Sequence, residues 1–177
     1  MAEIVYYVAS SLDGFISGED GDISGFAQGG PCVEQYFQDL LEFKTVIMGR
    51  KTYEFGYQYG LKEGQPAYPH MKHYIFSDTL GFENPHENVR VEKLTLDRIM
   101  EIKERSESNI YLCGGGTFAG WLLSKGLIDK VRIKLNPIIL NGGVRLFEGG
   151  DNSHHLQLID KKSFEDGLQL LTYKINI

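Results

Sequence analysis

Ile4 to Ala9 is an unbroken apolar and aromatic run, the pattern of a strand buried on both faces. A polar, glycine-rich stretch follows from Ser10 to Pro31, with Asp13-Gly14, Asp20-Gly21-Asp22 and Gly29-Gly30-Pro31 as turn chemistry. A loop of that length inside a compact domain reads as a lid or a binding loop. Val33, Tyr36, Phe37, Leu40 and Leu41 then recur at helical spacing and predict an amphipathic helix with these side chains on its buried stripe. Thr45–Met48 reads as a short buried strand, which Gly49-Arg50-Lys51-Thr52 turns into a second helix. Beyond a loop over 59–71, strands are predicted at His73–Phe76 and Asn88–Val91. Leu96, Ile99 and Met100 mark a surface helix with Thr95 as its N-cap.

Asn109–Cys113 is a strand that feeds Gly114-Gly115-Gly116 and a further helix. Lys130–Leu140 is rich in β-formers, and Pro137 within it predicts a bulge or a sheet edge. His155–Ile159 and Gln169–Ile177 read as two closing antiparallel strands, with Leu171, Tyr173, Ile175 and Ile177 alternating on one face. Strand–helix repeats followed by terminal strands predict one α/β domain over 1–177, a mixed, mostly parallel central sheet flanked by helices.

Composition narrows the partners. A chain of 177 residues, 42% hydrophobic and 24% charged, is sized and balanced for one soluble domain. A net charge of −6 without any Lys/Arg cluster argues against a nucleic-acid surface. Phosphates on a substrate must then be met by one or two basic side chains and by backbone amides. Cys32 and Cys113 have neither metal-ligand spacing nor a disulfide framework and are expected as free thiols. The adjacent His154 and His155 lack supporting carboxylates, so no metal site is expected. With no signal-peptide pattern and no apolar run approaching ~18 residues, the expectation is a cytoplasmic protein without a membrane partner.

Two strand-to-helix junctions carry the candidate chemistry. Gly114-Gly115-Gly116 offers helix-start N–H groups without side chains in the way, a phosphate-ready arrangement that could equally be a tight turn. Gly114 to Ala119 also satisfies the spacing of the dinucleotide fingerprint. Its late position, and Lys134 where an acidic residue belongs about 20 residues on, argue against a Rossmann fold. Gly49-Arg50-Lys51-Thr52 places two cations at a helix N-terminus, where the dipole opposes them unless an anion binds. Two such junctions suit NADPH, with the pyrophosphate at the triple glycine and the 2′-phosphate at Arg50 and Lys51.

Ser10-Ser11-Leu12-Asp13-Gly14-Phe15-Ile16, Val46-Ile47-Met48-Gly49-Arg50-Lys51-Thr52-Tyr53 and the triple glycine, in this order, resemble the dihydrofolate reductase superfamily. Ser-Leu-Asp-Gly and the segment Gly126–Phe147 are closer to the reductase domain of bifunctional riboflavin-biosynthesis deaminase/reductases, here standing alone. The resemblance implies a dihydrofolate-reductase-like three-layer fold and NADPH-dependent reduction of a small heterocycle. By resemblance the reaction is reduction of 5-amino-6-(5-phosphoribosylamino)uracil. A pterin reductase and a non-catalytic NADP(H)-binding protein stay open as alternatives. It further implies that Ala9 and Ile16 line the nicotinamide pocket, that Gly49, Arg50, Lys51, Thr52 and Ser77 meet the adenosine phosphate side, and that Gly114, Gly115, Gly116, Thr117 and Phe118 hold the pyrophosphate. Asp13 is the candidate for positioning substrate or a proton, with Glu34 as the substitute carboxylate on the first long helix, and the 17–31 loop is a mobile cover. Members of this branch are typically homodimers, so a homodimer is expected.

Three departures stand out. The helix carboxylate of dihydrofolate reductases falls on Cys32-Val33-Glu34-Gln35, with Glu34 one position out of register. The basic residue expected before the third strand, for a folate tail, is missing from residues 66–73, where only His70, Lys72 and His73 could stand in. The Asp-x-Pro usual in the riboflavin branch is replaced by Glu54-Phe55-Gly56.

Overall fold

The computed structural model describes residues 1–150 and 152–176. Its strands are β1 (Ile4–Ser10), β2 (Phe15–Ser17), β3 (Thr45–Gly49), β4 (Lys72–Phe76), β5 (Val89–Glu92), β6 (Ile110–Leu112), β7 (Lys130–Leu135), β8 (Val144–Arg145), β9 (His155–Ser163) and β10 (Gln169–Asn176). The helices are α1 (Pro31–Leu40), α2 (Arg50–Phe55), α3 (Leu96–Arg105) and α4 (Gly116–Ser124). Eight strands form one sheet in the order β5-β4-β3-β6-β1-β7-β10-β9, while β2 and β8 pair separately. From β5 to β7 every pairing is parallel, and β10 and β9 close the sheet antiparallel.

Both faces of the parallel strands are covered, which explains their unbroken apolar runs. One core joins Ile4, Tyr6, Ile47, Ile110 and Leu112 to Ile99 and Ile102 of α3 and Phe118 and Leu122 of α4. The other joins Val5, Tyr7, Val46, Met48 and Tyr111 to Cys32 and Leu40 of α1 and Tyr53 of α2. The alternation along β1 thus sends Tyr6 towards α4 and Tyr7 towards α1. Thr95 caps α3 as its sequence promises, its Oγ1 accepting from the Arg98 N–H at 3.2 Å.

Three expectations are corrected. The buried stripe of α1 is Cys32 and Leu40 with Tyr36 beside them, whereas Phe37 is 58% and Leu41 63% exposed. Residue 32 faces the sheet, so the true stripe begins one residue earlier than the apolar pattern and includes a cysteine. β7 is an interior strand between β1 and β10, and Pro137 lies beyond its end, making neither bulge nor edge. On β10, Leu170 and Thr172 are also buried, because the strand is covered on both faces; Ile177 lies outside the described residues. The bulge falls instead on β9, where Thr172 pairs with Asp160 and Tyr173 with Leu158.

Candidate active site

Between β3 and β1 the chain order reverses: β3, β4 and β5 step outwards, and β6 returns to fill the gap. In open α/β sheets the crevice at such a reversal, beyond the carboxyl ends of the strands, is where ligands sit. Here it is bounded by the end of β1 and by the two glycine junctions. Because β3 and β6 are neighbours, those junctions touch. A Cβ on Gly115 would stand 3.4 Å from Thr52 Oγ1, and one on Gly49 3.7 Å from the Phe118 Cβ. No side chain caps α4 or α2. The first-turn N–H groups of α4 therefore need an acceptor from outside the helix.

Not every glycine of the run serves a ligand. A Cβ on Gly116 would lie 2.3 Å from the Arg145 carbonyl oxygen and one on Gly120 1.9 Å from that of Glu148. These two residues let α4 press against the segment after β8, where the Glu148 N–H donates to the Gly116 carbonyl and Thr117 Oγ1 donates to the Glu148 carboxylate at 2.8 Å. Gly114, at φ +119°, opens onto the Tyr6 ring. At the neighbouring junction Arg50 is exposed and lies 3.3 Å from Glu54 one turn on; Lys51 is exposed beside it. Ser77 follows β4, half-buried, its Oγ accepting from the Thr79 and Leu80 N–H groups. Uncapped amides, absent Cβ atoms and two exposed cations at one crevice fit a dinucleotide with separated phosphates.

Ala9 is half-buried near the end of β1, and Ile16 lies in β2. The 18–30 segment crosses from the end of β7 to α2, with Gly21 against the Phe55 ring. It is anchored rather than free: Phe26 is buried, and the Ala27 N–H donates to Asn136 Oδ1 at 2.9 Å. Asn136, itself buried, donates back to the Lys134 carbonyl, so the cover is latched to the strand beneath it.

The two candidate carboxylates, Asp13 and Glu34, sit in different surroundings. Asp13 Oδ1 accepts from Ser11 Oγ (2.6 Å) and the Leu140 N–H (3.1 Å), and Oδ2 accepts from the Asn141 N–H (2.8 Å). The Ser11 hydroxyl, helped by the two backbone donors, lowers its pKa to about 2. Ionised and holding three donors, this carboxylate ties the turn after β1 to the Leu140–Asn141 turn. Glu34 is exposed on the outer side of α1, away from the stripe of Cys32 and Tyr36.

What α1 does send inwards is Tyr36 and Asp39. Asp39 accepts from the Tyr7 hydroxyl (2.8 Å), Arg132 (3.2 Å) and Gln35 (2.8 Å), a closed network. The Tyr36 and Tyr111 hydroxyls are 2.7 Å apart, and the Tyr68 hydroxyl is 3.5 Å from Cys113 Sγ. Lys134 Nζ lies 3.6 Å from the centre of the Tyr36 ring. Sequence reasoning missed this wall. A lysine on a strand reads as solvated, and only its pairing with Ala9 across β1 and β7 places it here. Burial drives its pKa down to about 8 and that of Tyr36 up to about 12.

A separate groove of about 480 Å³ lies at the opposite ends of β3, β4 and β5. Of its cations, Arg98 pairs with Glu92 and Glu101, Arg105 with Glu101, and Lys44 with Glu107. Neither glycine junction reaches it.

Comparison with known proteins agrees with the architecture. The chain belongs to the RibD C-terminal domain family, whose model matches residues 2–172. It is 25% identical to the uncharacterized protein YyaP of Bacillus subtilis over 98% of this chain and 95% of that one. A protein of Shewanella sp. PV-4 assigned to riboflavin biosynthesis superposes with a TM-score of 0.82 at 25% identity, covering 100% of both chains. The dihydrofolate reductase of Enterococcus faecalis, solved with NADP(H), shares the fold at a TM-score of 0.64 and 16% identity, over 99% of this chain and 97% of that one.

Proposed function

From its membership of the RibD C-terminal domain family, we propose that the protein is an NADPH-dependent reductase of a small heterocyclic substrate. The reaction this reading favours is reduction of a ribosylamino-pyrimidine such as 5-amino-6-(5-phosphoribosylamino)uracil. The observation that carries it is the contact between two uncapped strand-to-helix junctions, one side-chain-free and one cationic, beside the end of β1. Gly114 to Phe118 hold the pyrophosphate, while Arg50, Lys51, Thr52 and Ser77 hold the adenosine phosphate side. Ala9 and Ile16 wall the nicotinamide. Bound there, NADPH supplies the hydride, and the protein supplies position and exclusion of water. The latched 18–30 cover shields the crevice, and Asp13 holds the turn above β1. A pterin substrate is the weaker reading, because no free carboxylate of α1 faces the crevice. Mixing the protein with NADPH and a panel of pterins and ribosylamino-pyrimidines tests this. Loss of reduced-nicotinamide absorbance with a pyrimidine supports the reading, and none with any member of the panel opposes it.

Cofactor choice follows from Arg50. A charge-assisted contact is worth roughly 1.5–3 kcal/mol, so NADPH should bind about one to two decades tighter than NADH. Exchanging Glu54 for the 2′-phosphate as the partner of Arg50 trims that gain. In a fluorescence titration, Arg50→Ala should weaken NADPH far more than NADH; equal constants in the unaltered protein would refute the assignment.

Asp13→Asn replaces an acceptor oxygen by an NH₂ group facing a backbone N–H. Its melting temperature should fall while turnover stays within about tenfold. A loss of about 10²-fold at an unchanged melting temperature would put Asp13 back into the chemistry.

Assembly is proposed from the sheet edge. β9 is the terminal strand, every residue of it is exposed, and Leu156 and Leu158 are 47% and 49% exposed. A long open edge with apolar side chains invites a partner. Sedimentation should give twice the 20.0 kDa of one chain; a single-chain mass at micromolar concentration contradicts it.

A further inference from the structure

Lys134 differs from the other cations of its strand. Lys130 is paired with Glu3 and Arg132 with Asp39, but among the described residues no carboxylate lies within ion-pair distance of Lys134. Residues paired across neighbouring strands face the same way, so Lys134 shares the α1 side of the sheet with its partner Ala9. The groups around it are Cys32 and Tyr36 of α1, Tyr111 and Cys113 at β6, and Tyr68 from the loop before β4. Further out, Lys162 of β9 and Asp166 of the β9–β10 turn act on Cys32. Asp39, the one inward carboxylate of α1, is already engaged by Arg132 and Tyr7. A half-buried ammonium without a counterion is costly, and the face of the Tyr36 ring offsets only part of that cost. Such a charge is retained where something that binds beside it carries, or develops, negative charge.

Resting on the reductase reading above, we propose that Lys134 is the proton donor of this site, serving the oxygen or nitrogen on which hydride addition leaves negative charge. When hydride adds to the carbon of the C=O or C=N bond, the π pair moves onto the heteroatom. Nζ of Lys134 gives that atom its proton, and the neutral amine regains one from water. The reduced nicotinamide is the electron donor and leaves oxidised. The neighbouring hydroxyls are poorer acids, since burial raises the pKa of Tyr36 to about 12 and holds Tyr68 and Tyr111 well above the ordinary range. At about 8, Lys134 is still protonated at neutral pH and a stronger acid than a surface lysine. A fixed positive charge also selects against a protonated pterin.

The test uses orotate, an anionic uracil, as the probe, with Lys134→Met and Lys134→Arg. After ¹³C-reductive methylation, the resonance missing in Lys134→Arg should titrate near 8, against about 10 for surface lysines, and orotate should move its midpoint upwards. Lys134→Met should bind orotate at least about tenfold more weakly with NADPH affinity unchanged. On any substrate of the panel it should lose about 10²–10⁴-fold in turnover. Orotate binding that ignores Lys134, or no binding by the unaltered protein, overturns the site. Loss of turnover without these binding effects assigns Lys134 a merely structural role. If NADPH does not bind at all, the reductase reading fails, while the orotate and titration measurements still decide whether this is an anion-accepting site.

Discussion

Gly120→Ala should destabilise the protein by about 3 kcal/mol or more, at the upper end of what overpacking costs. The added methyl would sit 1.9 Å from the Glu148 carbonyl oxygen and 3.0 Å from that of Gly149. Both are backbone atoms, so neither can rotate away. α4 must move bodily off the segment after β8, taking with it Phe118 and Leu122, which form part of one core. Its N-terminus, and with it the triple-glycine junction, shifts too, so dinucleotide affinity should fall with stability. Gly29 is the matched control, since a Cβ there meets nothing within 4 Å. Urea denaturation of both variants checks this; a Gly120→Ala protein as stable as Gly29→Ala would show that α4 is not seated as described.

Acid should weaken the fold through His73. This side chain is fully buried, donating from Nδ1 to the Met71 carbonyl (3.0 Å) and accepting at Nε2 from the Tyr68 N–H (3.1 Å). Accepting at Nε2 requires the neutral ring, and burial lowers the pKa from 6.5 to about 4. The folded state therefore binds fewer protons than the unfolded chain between these values. Stability is full above pH 6.5 and falls as pH drops towards about 4. At 1.36 kcal/mol per pH unit the loss is about 3 kcal/mol. The Asp13 contribution is lost only at lower pH, below its ordinary 3.8, and the Lys134 one belongs to the alkaline side. His73→Gln should flatten the slope between pH 6.5 and 4 in denaturant titrations; an unchanged slope would locate the acid-sensitive group elsewhere. Because His73 holds the backbone of Tyr68, protonation should also loosen one wall of the crevice.

The two glycine junctions were legible because strand-to-helix turns leave a local signature: apolar run, glycine, helical spacing. The parallel strands were legible for the same reason, being apolar on both faces. What escaped depended on long-range pairing. β2 and β8 are three and two residues long and exist only through each other. The face of α1 was misjudged because Phe37 and Leu41 are apolar yet exposed, while Cys32 is the residue that meets the sheet. Asp13 has the sequence context of a catalytic group, but its donors Leu140 and Asn141 come from over a hundred residues away. Lys134 is invisible for the converse reason: only register against Ala9 turns a strand lysine into a lining residue. The family resemblance carried the fold correctly, and the chemistry of the substrate half had to come from packing.

The central claim is that a dinucleotide lies across the ends of β1, β3 and β6. Backbone amide resonances followed by NMR during addition of NADPH test it most directly. The account predicts shifts at Ala9, Ile16, Gly49 to Thr52, Ser77 and Gly114 to Phe118. Shifts confined to the opposite groove, at Lys72, Arg90 and Arg98, or no shifts at millimolar NADPH, would contradict it.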